Sequence, residues 1–115
     1  MPLSSITSSV SGIKAAFGIM GVSSHNTANL NTNGFKKQTS NLHEEINGGV
    51  THTVGKNTEP GAMYMDADGN MVESSNVDVA EEAGTRIGAK HLLAANLKAL
   101  KVADEMQKSL IDILL

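Results

Sequence analysis

The last third of the chain constrains the fold most. Leu93, Leu97, Leu100, Ala103, Met106 or Gln107, Leu110 and Leu114 recur at steps of three and four residues. That spacing predicts one long amphipathic helix. Ser75 or Asn76 is placed to cap it, and Asp78, Glu81 and Glu82 fall in its first turns, where acidic groups suit the positive helix end. The helix is expected from about residue 77 to 113, roughly 55 Å at 1.5 Å per residue. An ordinary globular helix is far shorter, so this length points to a coiled coil or bundle. Ala80, Gly84 and Gly88 fall four apart and are expected to form a face for close backbone packing.

A second stripe lies near the other end. Ile6, Val10, Ile13, Phe17 and Met20 are spaced four, three, four and three residues apart. This predicts a helix over roughly residues 4–29, with Gly12 and Ala16 beside the stripe where they would permit close approach. Its flanks are Ser, Thr and Gly, which are poor helix formers, so the helix is expected only when packed. Residues 1–35 carry a single charged side chain, Lys14, whereas residues 73–115 carry twelve. A charge-poor surface fits a crowded interface, because an unpaired charge there is costly.

Between the stripes the chain reads as turns and short strands. Asn33-Gly34 ends the first helix with a strong turn signal. Residues 36–48 are polar and have no decisive period. Thr51, Thr53 and Val54 predict one strand. Met63-Tyr64-Met65 and Asn70-Met71-Val72 flank Asp66-Ala67-Asp68-Gly69 as a hairpin. The expected fold class is mainly α: an antiparallel, coiled-coil-like pair of long N- and C-terminal helices with a small β/turn insert. The expected division is 1–35, 36–75 and 76–115, together one composite domain. A length of 115 residues makes one domain the natural expectation, and three aromatic residues leave few large core side chains.

Bulk composition removes several functions. With no Cys there are no disulfides, thiolate metal sites or cysteine catalysis. A net charge of −3 with dispersed basic residues argues against a nucleic-acid footprint. Apolar runs are too short for a membrane span, and the N-terminus lacks the layout of a cleavable secretory signal. Asp66, Asp68 and Asn70 begin like a calcium loop, but Gly69 stands fourth and Val77 twelfth, where Gly belongs sixth and an acid twelfth. His25, His43, His52 and His91 show no ligand spacing. Glu44-Glu45 and Glu81-Glu82 are adjacent, so neither is a facing acid/base pair on a helix. No catalytic, cofactor or metal site is expected.

Two runs resemble a known family. Ala28-Asn29-Leu30-Asn31-Thr32-Asn33-Gly34-Phe35-Lys36, with Asn26 just before it, resembles the N-terminal signature of bacterial flagellar rod and hook (axial) proteins. His25 and Thr27 depart from that signature. Ser75-Asn76-Val77-Asp78 resembles the start of the family's C-terminal helix, and Ala95-Asn96 a later element, with Leu93 where the family has Tyr. Ala103-Asp104-Glu105-Met106 continues the likeness.

The resemblance implies a structural subunit, most like a short proximal rod protein, although the Ser-Asn-Val-Asp wording is nearer distal-rod and hook members. It implies self-assembly through the terminal helices into the axial tube that transmits torque. It also implies partners among other rod and hook proteins and the flagellar export apparatus, and a place in the periplasmic rod reached without signal cleavage. No nucleic acid or membrane insertion is implied. On this reading Ile6, Val10, Ile13, Phe17 and Met20 pack against Leu93, Leu97, Leu100 and Leu110. Asn29, Asn31 and Gly34, within the run from Asn26 through Ala28 and Thr32 to Phe35, hold the turn. The alternative is a small helical adaptor or export-linked regulator, which would form a closed monomer or dimer.

Overall fold

A computed structural model describes residues 2–115. Helix α1 spans Pro2–Ala28 and helix α2 spans Val79–Leu114. Between them lie β1 (Gln38–Glu44), β2 (Val50–Lys56), β3 (Met63–Met65) and β4 (Met71–Glu73). The strands form two separate antiparallel hairpins, β1–β2 and β3–β4. The fold is mainly helical, with two long helices flanking a small antiparallel β/turn insert. It is elongated, 78 Å in its longest dimension and 14 Å in its shortest.

The helices run antiparallel. Asn26 meets Glu82 near one end, and Gly12 meets Asn96 further along. The seam between them is made of small or polar groups. Ser9, Gly12, Ala16, Ser23 and Asn26 are buried on α1, and Glu82, Ala89 and Ala103 on α2. Glu82, Ala89, Asn96 and Ala103 fall seven apart, which keeps one face of α2 on its partner. Among the described residues, Asn26 and Ser23 are the largest side chains that are fully buried. A Cβ at Gly12 would lie 2.4 Å from Asn96 Oδ1.

The large residues of the two stripes lie around this seam, not at its centre. Val10, Phe17, Leu97 and Leu110 are exposed, Phe17 by 59% and Leu97 by 49%. Ile6, Ile13, Met20, Leu93 and Leu100 are only half-buried. The physical reason is that α1 has two neighbours. Its small residues at positions 9, 12, 16 and 23 face α2, while Ser8, Ser11 and Gly18 face the β1–β2 hairpin. The Val50 N–H donates to Ser11 Oγ (3.1 Å), and the His52 ring lies over Gly18. The large residues are left on the remaining face.

Three local expectations also shift. The N-cap of α2 is Asp78, not Ser75 or Asn76; its carboxylate accepts from the N–H of Ala80 (2.9 Å) and Glu81 (3.4 Å). A carboxylate does this well because it also meets the helix dipole. Ala80, Gly84 and Gly88 are exposed, and a Cβ at either glycine meets nothing within 4 Å, so they form no seam with α1. Residues 38–44, without a legible period, form β1, in register with β2 from Gln38↔Lys56 to Glu44↔Val50.

Candidate assembly site

Both family-like runs end at one place, the junction where the insert meets the two helices. Asn26 occupies its centre. Its Nδ2 donates to the Gln38 carbonyl (2.9 Å) and to Glu82 Oε1 (2.9 Å), and its Oδ1 accepts from the Gln38 N–H (2.8 Å). The side chain thus imitates a backbone partner for the first residue of β1 and anchors α2 as well. Ser23 Oγ adds a bond to the Glu82 carbonyl (3.3 Å).

Asn76 performs the same task from the other side. Its Oδ1 accepts from the Lys37 N–H (2.6 Å), and its Nδ2 donates to the carbonyls of Asn57 (3.0 Å) and Glu59 (2.9 Å). Two amides, one from each run, therefore hold consecutive residues, Lys37 and Gln38. The amide is suited to this because it carries both donors and an acceptor.

The Asn-rich turn is held by short local bonds. Asn29 Nδ2 donates to the His25 carbonyl (2.9 Å), and Thr32 Oγ1 donates to Asn29 Oδ1 (3.1 Å). Gly34 has φ +72°, a conformation that favours glycine, and its N–H reaches the Glu73 carbonyl (2.9 Å). Phe35 packs edge-on against His25, with centroids 5.5 Å apart. Ala28 and Asn31 are exposed. In the second run, Ser75 Oγ accepts from the Val77 N–H (3.1 Å), while Asn96 Nδ2 returns to its own helix at the Leu92 carbonyl (2.9 Å).

Two ion pairs fasten the junction. Lys36 pairs with Glu73, whose carboxylate also accepts from the Gly61 N–H (2.9 Å). Lys37 pairs with Glu81 (2.8 Å). The Lys36 hydrogen bond, helped by Gly61, holds the Glu73 carboxyl below the usual carboxylate range. The hydrogen bond to Glu81 holds the Lys37 ammonium above its ordinary value, with further help from Glu82 and Glu59. Gly61 has no room for a side chain, since a Cβ there would lie 2.1 Å from the Ser74 carbonyl oxygen.

A pH dependence follows with a defined sign. A carboxyl depressed on folding contributes stability above its unfolded value and loses it as pH falls through the folded one. The junction is therefore expected to loosen below about pH 4, starting at the Glu73 end. Tyr64 reports it, because its hydroxyl donates to Asn33 Oδ1 (2.7 Å) and the chain has one Tyr and no Trp. Acid titration should change tyrosine emission in the wild type, and the Glu73→Gln variant should lose that transition. An identical transition in both would assign it elsewhere.

Asp66 Oδ1 accepts from the N–H groups of Asp68 (2.9 Å) and Asn70 (2.8 Å), so it serves the β3–β4 turn. Among the described residues, no group of three His, Cys, Asp or Glu is placed to hold a metal ion.

Each helix also carries an apolar stripe beside the seam. On α1 the stripe from Ile6 to Met20 lies one residue onward from the seam positions, about 100° around the helix, while the hairpin contacts lie one residue back. On α2, Thr85 lines the cleft under residues 37–40, on the hairpin side. Leu93, Leu97 and Leu100 lie round the opposite side of the seam by the same helical arithmetic. Both stripes therefore face the same way, away from β1–β2.

Residues 69–113 match the family model described as flagellar basal body rod FlgEFG protein C-terminal. No curated protein matches the chain in a sequence comparison. No helix among the described residues is long and apolar enough to cross a membrane. Over β4, the Asn76–Asp78 capping run and nearly all of α2, the chain carries a flagellar basal-body rod/hook family domain.

Proposed function

We propose that this protein is a structural subunit of the bacterial flagellar rod, assembling with copies of itself and other axial proteins through its two helices. The carrying observation is the inverted distribution of side chains. The buried apolar residues are Ala15, Ala16, Val22, Ala89 and Ala103, while Phe17, Leu97, Val102, Met106 and Leu110 are exposed. Burying a large apolar side chain stabilises by about 1.5–3 kcal/mol. The isolated chain forgoes that gain at position after position, and neighbouring helices would recover it. A closed adaptor would instead keep its largest apolar groups inside.

On this reading the N-terminal run from Asn26 to Lys36 belongs to the same family as the matched segment. The two helices supply the tube wall, and the small insert stands outside it. The subunit acts without catalysis, reaches the periplasmic rod through the export apparatus, and transmits torque by packing. Deleting the gene and imaging basal bodies tests this. The expected result is membrane rings without a complete rod, and loss of motility. Complete rods and normal swimming in the deletion strain would refute an essential axial role.

A further inference from the structure

The β3–β4 hairpin gathers three thioethers on one face. Met65 pairs directly with Met71, and Met63 pairs with Glu73. Directly paired residues project to the same face, and residues two apart on a strand do so too. Met63, Met65, Met71 and Glu73 therefore share one face, and Tyr64 and Val72 the other. The Tyr64 hydroxyl turns that second face toward Asn33 at the junction. The three methionines of the first face are open to solvent, with Met65 66% and Met71 60% exposed, while Glu73 at its edge is held by Lys36 and Gly61.

We propose that this face binds a soft monovalent metal ion, Cu(I) or its analogue Ag(I), through the three sulfurs. Thioethers are soft, neutral ligands and select such ions over hard divalent ones. The cross-strand partners Met65 and Met71 have Cβ atoms about 5 Å apart, and Met63 is one strand repeat away. Each side chain has three rotatable bonds, which gives the sulfurs the freedom to turn toward one ion. The turn that joins the strands is already rigid: the Asp66 N–H donates to the Asn70 carbonyl, and the Asp66 carboxylate is occupied by the turn. The chain contains no Cys to compete for the ion. No atoms change oxidation state on binding.

The test is a silver nitrate titration of protein labelled at the methionine ε-methyl carbons, followed by NMR in chloride-free buffer. The Met63, Met65 and Met71 signals should shift together and saturate at one equivalent, while Met20 and Met106 stay in place. The Met65→Leu, Met71→Leu double variant should weaken binding at least tenfold, with an unchanged circular dichroism spectrum. Cu(I), kept reduced by ascorbate and competed with a chromophoric chelator, should follow the same order. Uniform shifts of all methionines, no saturable shift, or unchanged affinity in the folded double variant would each overturn the proposal.

Discussion

Replacing Asn26 with Leu is expected to lower the stability of the folded chain by about 3 kcal/mol or more. Asn26 is 1% exposed and makes three hydrogen bonds, two to Gln38 and one to the buried Glu82. A leucine of similar size would leave the Gln38 amide and the Glu82 carboxylate without those partners. Each unsatisfied buried group costs about 1–3 kcal/mol, and a charged one more. The loss should spread, because Glu82 sits in the first turns of α2 and Gln38 opens β1. In a fold of this size the midpoint should fall by about 10 °C. Thermal unfolding followed by the helical circular dichroism signal measures it. Asn29→Ala is the control, since that side chain bonds only to the His25 carbonyl and the Thr32 hydroxyl in an exposed turn, and it should cost less than about 1 kcal/mol. Equal midpoints for wild type and Asn26→Leu would remove the junction amide as an organising contact.

The helices were legible because their period is local. Leu93 to Leu114 and Ile6 to Met20 repeat at helical steps, and α1 and α2 stand close to the expected spans. The Met63 and Met71 strands and the Asp66 turn were legible from turn residues between apolar ones. The seam was not legible, because periodicity says which residues share a face but not which neighbour that face meets. The most apolar face of α1 was expected to pack within the chain. In the structure that face is half-buried at Ile6, Ile13 and Met20 and exposed at Val10 and Phe17, and Ser9, Gly12, Ala16 and Ser23 pack inward. Gly12 and Ala16 did carry the signal, as small residues at helical spacing beside the stripe.

The junction was half legible. The turn chemistry of Asn29 and Gly34 could be read from residue type. The reach of Asn26 to Gln38 and Glu82, and of Asn76 to Lys37, depends on chain segments brought together from 12 to 56 residues away. Strand β1 was missed for a similar reason. Its residues alternate too weakly to show a face, and pairing with β2 and contact with α1 decide it.

Phe17→Asp and Leu97→Asp are expected to leave the isolated fold almost unchanged and to abolish incorporation into the rod. In the monomer both side chains are about half exposed or more, so a carboxylate there stays hydrated. The intrinsic cost is the helix propensity of Asp, about 0.5–0.7 kcal/mol. In an assembly that covers this face, the same carboxylate would be stripped of water without a partner, at a cost of several kcal/mol per subunit. Each subunit would present that defect to its neighbours, so the losses repeat along the tube. Phe17→Leu and Leu97→Met keep the face apolar and should assemble. The paired readouts are the thermal midpoint of purified protein and complementation of a deletion strain, with basal bodies imaged. Midpoints within a few degrees of wild type together with missing rods would locate the assembly face on the shared side of α1 and α2. Normal rods built from either Asp variant would exclude that residue from the interface. A collapsed midpoint would mean instead that the stripe stabilises the monomer, contrary to its exposure. Asn26→Leu separates the two cases, because it should fail at folding before assembly is reached.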